Sequence, residues 1–268
     1  MKRQQIIVHA GFHKTGTSAV QSFLGKNGKH LWPYMALVLP ARIADITRCA
    51  TLYSVLRDPV SLDEFHHRLT AFLRTLDIGR KRHLLISAED LAGLIPGRNR
   101  QLSYGSSPAL MAAIKSAVTQ VFDTQCDLTF YFCTRETDAW LRSSYWQNLR
   151  ASNLQLGFDA YCDAYDNAAD FDTVLTEIRH AVGDTHVMAF PLEGTQDLRF
   201  GPASPLFDLI ALPKETRAAL VPVAYHNTQP PQDLVDQIRD LNRSGLNTNT
   251  LAQRKKTLLD LHSATNSG

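Results

Sequence analysis

The sequence has no long apolar run and few cysteines. No stretch reaches the roughly 18 apolar residues that a membrane-spanning helix needs. The N-terminal apolar segment is too short and too interrupted for a secretory signal peptide, so we expect a cytoplasmic protein with no membrane span. No two cysteines form a C-x-x-C pair and the chain does not resemble a small disulfide scaffold, so we expect reduced thiols. The cysteines are Cys49, Cys126, Cys133 and Cys162.

The sequence also has no large excess of basic over acidic residues, or of acidic over basic. The chain has 28 basic and 26 acidic residues, for a formal net charge of +2. A protein that binds nucleic acid usually has a clustered basic excess, so we expect no nucleic-acid partner. A small anionic ligand held by a few cations is compatible with this balance. The 268 residues, 44% of them hydrophobic, are enough for one large α/β domain with a substantial core.

Short apolar runs without alternation predict the strands of a parallel sheet, because such strands are covered on both faces. Four runs have this pattern: Ile6–Ala10, His83–Ser87, Leu128–Thr134 and Thr185–Pro191.

Amphipathic helical patterns lie between and after these runs. They begin at a capping box over Ser61–Glu64, at Ser107, at Asp170 and at Gln232. Gly183 is a plausible stop for the third of them. Strands that alternate with helices predict an α/β fold with a central, mostly parallel sheet flanked by helices.

A glycine-rich turn follows the first apolar run in the stretch "IIVHAGFHKTGTSAVQSFL". Laid over the phosphate-loop pattern G-x-x-x-x-G-K-[ST], the stretch fits at Gly11, Gly16 and Ser18. The lysine position of that pattern holds Thr17, and the lysine lies inside the turn at Lys14. A strand, a glycine turn and a helix together predict a concave anion site lined by backbone N–H groups.

A magnesium-triphosphate complex is the ligand that this loop fits less well. A lysine placed three residues earlier has a different reach from the lysine that contacts the β- and γ-phosphates. Such a site usually has an Asp at the end of a later strand, whereas Glu89 and Asp90 lie a few residues beyond theirs. The strand "TFYFCTR" ends in Arg135, which has the wrong sign for a metal ligand. We therefore expect no metal.

The order "GFHKTGTS" resembles the 5′-phosphosulfate loop of sulfotransferases that use 3′-phosphoadenylyl sulfate (PAPS), a family with a three-layer P-loop-like fold. The resemblance implies that the loop amides, Thr15, Gly16, Thr17 and Ser18 hold the 5′-phosphate. It also implies that Lys14 contacts the oxygen that bridges phosphorus and sulfur. A cation placed there would stabilise the negative charge that develops as the sulfuryl group leaves.

A second motif, in "FYFCTRETDAWLRSSYWQNL", is similar to the family's 3′-phosphate site. Arg135 follows a strand, and Ser143 lies eight residues later in the next helix. The planar guanidinium of arginine suits a phosphate because it can bond two oxygens at once. The family's usual Asn-Pro is replaced by Glu136-Thr137, and the neighbouring Ser144 could take the place of Ser143.

Transfer to a hydroxyl or an amine also needs a base. Glu89 lies just after a strand, and its placement is similar to that of the catalytic glutamate in carbohydrate-type sulfotransferases. The K-T-H histidine motif of the soluble small-molecule enzymes is not present. Asp90 or one of the histidines could serve instead, or the two carboxylates could simply cap the following helix.

Together these features predict a single sulfotransferase-like domain over residues 1–268, with the core and donor site in 1–200 and a helical part in 201–268. The expected reaction moves a sulfuryl group from PAPS to a hydroxyl or amine acceptor. The acceptor would be a small molecule or a glycan, most simply a carbohydrate or glycolipid, as in bacterial and carbohydrate-type sulfotransferases. Two alternatives stay open: a small-molecule kinase with a divergent loop, and a nucleotide-binding module without chemistry.

Overall fold

The computed structural model describes residues 4–79, 83–122, 126–223 and 229–265, and side chains as far as residue 262. The described residues form five strands: β1 (Gln4–His9), β2 (Met35–Val38), β3 (His83–Ser87), β4 (Cys126–Thr134) and β5 (His186–Pro191).

All five strands are parallel and pair in the order β2-β3-β1-β4-β5. The central strand β1 pairs with β3 on one side and β4 on the other, so that His9 lies opposite both Ser87 and Tyr131. The expected α/β fold with a parallel sheet is confirmed, and it is consistent with a three-layer P-loop-like arrangement.

The helices are α1 (Thr17–Lys26), α2 (Gly28–Leu31), α3 (Ala44–Leu56), α4 (Pro59–Arg74), α5 (Ser107–Phe122), α6 (Thr137–Ala151), α7 (Phe158–Tyr165), α8 (Phe171–Val182), α9 (Leu206–Leu209), α10 (Lys214–Ala219), α11 (Gln232–Arg243) and α12 (Thr248–Thr265). Those expected at Ser107 and Gln232 begin there. The expected cap of α8 is confirmed, because the Asp170 carboxylate accepts from the Thr173 N–H and Gly183 ends the helix.

Two sequence predictions were wrong at the level of single elements. The four-residue edge strand β2 was missed, because "MALV" is too short to have a readable period and pairs only with β3. The capping box at Ser61 was also misplaced. Asp58 caps α4 by accepting from the Ser61 N–H, and Pro59 occupies the first helical position, which suits a residue without an N–H.

The sheet separates two hydrophobic cores, because alternate residues of a strand face opposite sides. Ile6 and Val8 of β1 face the larger core, which includes buried residues of α3, α4, α5, α6 and α8. Ile7 faces the smaller core, formed with α1, α2 and α9. Helices on both faces of one sheet give three layers.

The last two helices hold the C-terminal end of α6. Lys255 Nζ donates to the carbonyl oxygens of Leu149 and Ser152, at 2.9 and 2.5 Å. Asn242 Nδ2 of α11 also donates to the Leu149 carbonyl. These bonds satisfy carbonyls that the end of a helix leaves open, and they fix a helix that carries several residues of the site described below.

Two expectations from composition bear on the described residues. All four cysteine side chains lie there and are thiols rather than disulfides. Among the helices of the described ranges, none is both long enough and apolar enough to cross a bilayer.

Candidate functional site

The glycine turn after β1 lies at the carboxyl edge of the sheet. From β1 the chain continues to β2 on one side, whereas from β4 it continues to β5 on the other. The crevice between two neighbouring strands whose connections diverge in this way is where open α/β sheets bind ligands. The loop after β1 and Arg135 after β4 therefore meet at the position that topology favours for a ligand.

A cavity of about 230 Å³ lies at this position. Seven of the residues singled out from the sequence, Gly16 among them, line this cavity. The lining residues are His13, Lys14, Gly16, Thr17, Ser18, Glu89, Arg135, Ser143, Gln147, Arg150 and Leu192.

Gly16 opens helix α1 in a conformation that suits only glycine. Its φ is +93°, and it precedes the helix without a side chain that could cap the first turn. A Cβ built on Gly16 would lie 2.7 Å from Cδ1 of Leu192, which also lines the cavity. The first-turn N–H groups of α1 thus face the cavity without a side-chain cap, and together with the helix dipole they attract an anion.

The threonines of the loop have different roles. The Thr15 hydroxyl is buried and donates to the Phe12 carbonyl at 2.6 Å, so it holds the loop together and does not line the cavity. Of the loop residues expected to hold the 5′-phosphate, Thr15 is therefore the one that lies outside the cavity lining. Thr17 also reaches the Phe12 carbonyl, at 3.4 Å, but it lines the cavity beside Ser18.

Lys14 has a strained backbone and a perturbed charge. Its φ of +67° lies in the left-handed region, which non-glycine residues rarely adopt and which is often found at functional sites. Burial lowers the pKa of its ammonium group, and the nearby Arg150 and Arg135 lower it further, while Glu89 opposes them. Cations held close together in a half-buried cavity create a strong preference for an anionic ligand.

Arg135 joins the two sequence motifs directly. Its side chain is only 10% exposed, and Nη1 donates to the Lys14 carbonyl at 2.9 Å. Nε lies 4.0 Å from a carboxylate oxygen of Glu193, which also accepts from the Glu136 N–H. The guanidinium therefore fixes the loop relative to β4 while it lines the cavity.

The two candidate serines, Ser143 and Ser144, lie in different surroundings. Ser143 lines the cavity. Ser144 is fully buried on another face of α6, where its hydroxyl donates to the Leu141 carbonyl and accepts from the Tyr161 hydroxyl. Of the two, only Ser143 can reach a ligand in this cavity.

The candidate bases also differ in their contacts. Glu89 lines the cavity, and its Oε2 accepts from the Gln21 amide at 2.8 Å, which orients the carboxylate. Asp90 lies 3.0 Å from Nε2 of His13, and the other ring nitrogen of His13 lies 3.3 Å from the Tyr104 hydroxyl. Asp90 does not line the cavity itself, so Glu89 and the His13 ring that Asp90 contacts are the candidate bases that face it.

The carboxylates of Glu89 and Asp90 do not cap the helical turn that follows β3. A short 3-10 turn spans Glu89–Ala92, and the residue before it is Ala88, which has no capping side chain. The hydrogen bonds of the two carboxylates go to Gln21 and His13 instead.

Sequence reasoning found Ser143 but missed the other two polar residues on the same face of α6. Ser143, Gln147 and Arg150 lie at spacings of four and three, which place them on one side of a helix. One turn earlier, Trp140 donates from its indole N–H to the His13 carbonyl at 2.9 Å, so the same face contacts the loop. The spacing of these polar residues can be read from the sequence, but it indicates a site only once α6 is known to lie against the loop.

Within the residues that the structure describes, no three His, Cys, Asp or Glu side chains cluster as a metal-binding group. Comparison of the chain with protein-family models, with curated proteins and with solved structures gives no significant match. The likeness to PAPS-dependent sulfotransferases therefore depends on residues of this chain alone.

Proposed function

We propose that this chain is a PAPS-dependent sulfotransferase. The observation that carries the proposal is the convergence of three separate segments on one cavity: the loop Gly11–Ser18, Arg135 with Ser143, and Glu89. The resemblance to the family gives each segment its role, and the three are far apart in the sequence. A loop with an unrelated purpose would not require an arginine, a serine and a carboxylate to meet it.

The cavity fits the anionic part of the donor. Its volume of about 230 Å³ is below the roughly 300–1,000 Å³ of pockets that enclose a whole drug-sized ligand. The capless first turn of α1 would hold the 5′-phosphate, and Arg135 with Ser143 would hold the 3′-phosphate. The adenosine would extend from the cavity along the sheet edge.

The proposed reaction is an in-line displacement at sulfur. The acceptor oxygen or nitrogen forms a bond to sulfur while the bond from sulfur to the bridging oxygen breaks. Glu89 takes the acceptor proton, and the Lys14 ammonium stabilises the charge that develops on the bridging oxygen. The product nucleotide is adenosine 3′,5′-bisphosphate. Holding both reactants in this geometry can supply roughly 7–11 kcal/mol of the rate enhancement.

The acceptor class and the location in the cell are part of the proposal. A glutamate base favours a carbohydrate or glycolipid acceptor over the small molecules sulfated by enzymes with a K-T-H histidine. We likewise propose that the protein is cytoplasmic, as expected from the sequence.

The direct test is a transfer assay with radiolabelled PAPS. The purified protein is incubated with cell-envelope glycans and with small-molecule pools, and label in the acceptor fraction is measured with and without enzyme. We expect enzyme-dependent transfer to at least one pool. Binding of adenosine 3′,5′-bisphosphate without transfer to any pool would instead support a binding module.

A magnesium-dependent kinase is the second candidate, and one observation favours it. The Glu89 carboxylate faces the same cavity as Ser18, so the two could share a cation. This alternative predicts ATP turnover that requires Mg²⁺ and no preference for a nucleotide with a 3′-phosphate. ATP turnover measured with and without Mg²⁺ separates the two functions.

A further inference from the structure

A buried histidine, His9, ends the central strand just before the glycine turn. It lies in register with Ser87 of β3 and Tyr131 of β4. Side chains in register on neighbouring parallel strands point to the same face of a sheet, so the three form a row. Tyr131 packs in the smaller core with α1, and the row therefore faces that helix. The His9 ring is fully buried, with its centroid 5.2 Å from that of Tyr131.

The two nitrogens of the His9 ring differ in their partners. Nδ1 lies 2.8 Å from the Ser87 hydroxyl oxygen. Nε2 is inaccessible to solvent and makes no hydrogen bond to any residue in the described part of the chain. Burial lowers the pKa of His9 to about 3, so the ring is neutral and carries a single proton. Buried polar atoms are nearly always hydrogen-bonded, and an exception beside a ligand loop calls for an explanation.

Nε2 and the Thr17 hydroxyl border the same space beside Gly11. A Cβ built on Gly11, whose φ is +45°, would lie 3.3 Å from Nε2 of His9 and 2.6 Å from Oγ1 of Thr17. Glycine is therefore required here, because a side chain would occupy the space that these two atoms share. Thr17 also lines the cavity, so its hydroxyl lies between His9 and the candidate anion site.

The Thr17 hydroxyl is only weakly held in the loop. Its oxygen lies 3.4 Å from the Phe12 carbonyl oxygen, longer than the roughly 2.5–3.0 Å of an ordinary hydroxyl hydrogen bond. The same carbonyl already accepts from the Thr15 hydroxyl at 2.6 Å. A hydroxyl has one proton and two acceptor lone pairs. The proton of Thr17 is thus available to an anion, provided that a neighbouring donor satisfies its oxygen.

We propose that His9 is a positioning residue that directs the proton of the Thr17 hydroxyl toward a bound phosphate. The Ser87 hydroxyl donates to Nδ1 of His9, Nε2–H donates to Oγ1 of Thr17 when the ligand is bound, and Thr17 donates to a phosphate oxygen. The opposite tautomer has a lone pair at Nε2, which would attract the Thr17 proton and turn lone pairs toward the anion. The inference rests on the proposed function, because that function assigns the 5′-phosphate to this loop.

The first test determines the tautomer by NMR in protein with ¹⁵N-labelled histidine. The His9 ring is assigned through its own backbone signals, so the measurement needs no variant. We expect the proton on Nε2, and a change in the Nε2 chemical shift when AMP, which carries only the 5′-phosphate, saturates the loop. A proton on Nδ1, or an Nε2 shift that AMP does not change, would overturn the inference.

The second test measures how two substitutions are coupled in AMP binding. His9→Phe keeps an aromatic ring without nitrogens, and Thr17→Val removes only the hydroxyl. We expect His9→Phe to raise the Kd for AMP about fivefold in the wild type and less than about twofold in the Thr17→Val background. His9→Gln, which retains an N–H donor, should recover part of the affinity. His67→Phe, at an exposed position on α4, is the matched control and should have no effect.

Two outcomes separate this inference from the proposed function. An equal loss of AMP affinity from His9→Phe in both backgrounds would show a structural role and overturn the positioning role, while the donor site would stand. If the wild type binds neither AMP nor adenosine 3′,5′-bisphosphate, the proposed function fails. Titration of the labelled wild type with inorganic phosphate then decides the role of His9, because an Nε2 shift that responds to phosphate supports it and an unchanged shift overturns it.

Discussion

The two walls of the cavity differ in how the chain builds them. The donor wall, formed by the loop Gly11–Ser18 and Arg135, comes from two neighbouring strand ends and is tied by the Arg135–Lys14 hydrogen bond. The acceptor wall, formed by Glu89, Gln147 and Arg150, comes from the 3-10 turn after β3 and the C-terminal end of α6. The donor wall is a local motif, whereas the acceptor wall exists only after the fold brings distant segments together.

The largest expected effect is on the donor wall. Lys14→Ala should lower the rate of sulfuryl transfer by about 10²–10³, because it removes one donor that acts on the transition state. The measurement is transfer from radiolabelled PAPS to the pool that the wild type modifies. Lys29→Ala, an exposed lysine on α2, is the control. A Lys14→Ala variant with near-normal turnover would remove Lys14 from the chemistry.

A smaller loss of rate is expected from the acceptor wall. Glu89→Gln can still accept a hydrogen bond from Gln21 but cannot take a proton, so transfer should slow by about 10²-fold. Glu177→Gln, at an exposed position on α8, should have no effect. If Asp90→Asn slows transfer and Glu89→Gln does not, the base is the Asp90–His13 pair.

Substitution of Arg135 tests whether the donor wall binds the 3′-phosphate. Arg135→Ala should weaken binding of adenosine 3′,5′-bisphosphate by about tenfold or more beyond the loss in AMP binding that follows from the broken Arg135–Lys14 hydrogen bond, since a charge-assisted hydrogen bond contributes roughly 1.5–3 kcal/mol. Calorimetry with both nucleotides gives the comparison. Arg135→Lys keeps the charge without the planar fork and should recover only part of the loss. Equal weakening for both nucleotides would assign Arg135 to holding the loop.

The smallest effect is expected at the turn of residues 96–101, which Asn148 holds against α6. Asn148→Ala leaves the Pro96 carbonyl without its donor and should lower the free energy of unfolding by about 1–3 kcal/mol. Chemical denaturation measures this change, with exposed Asn153→Ala as the control. Binding of adenosine 3′,5′-bisphosphate should stay constant, because the Asn148 side chain is not among the residues that line the cavity. A change in nucleotide affinity would show that the walls are not independent.

The same contrast explains how much the sequence could predict. The parallel sheet, the glycine turn and Arg135 are encoded by short-range patterns: apolar runs of strand length, a glycine spacing and a polar residue at a strand end. Glu89 lines the same cavity as the loop because the carboxyl ends of parallel strands share one edge. In each of these cases, residues close together in the sequence are sufficient for the prediction.

The misses have a long-range cause. The inward hydrogen bond of Thr15 depends on how the loop closes on Phe12. Ser143 and Ser144 could be distinguished only by the packing of Tyr161 against α6. Pro96 and Asn148 are more than fifty residues apart in the sequence, and nothing local predicts the hydrogen bond that joins them.

The most direct test of the central claim is the affinity of the wild type for two nucleotides that differ by one phosphate. Calorimetric titration with adenosine 3′,5′-bisphosphate and with AMP isolates the contribution of the 3′-phosphate. The account predicts that the bisphosphate binds at least about tenfold more tightly, a difference of roughly 1.4 kcal/mol. Equal affinity for the two nucleotides would contradict a PAPS site.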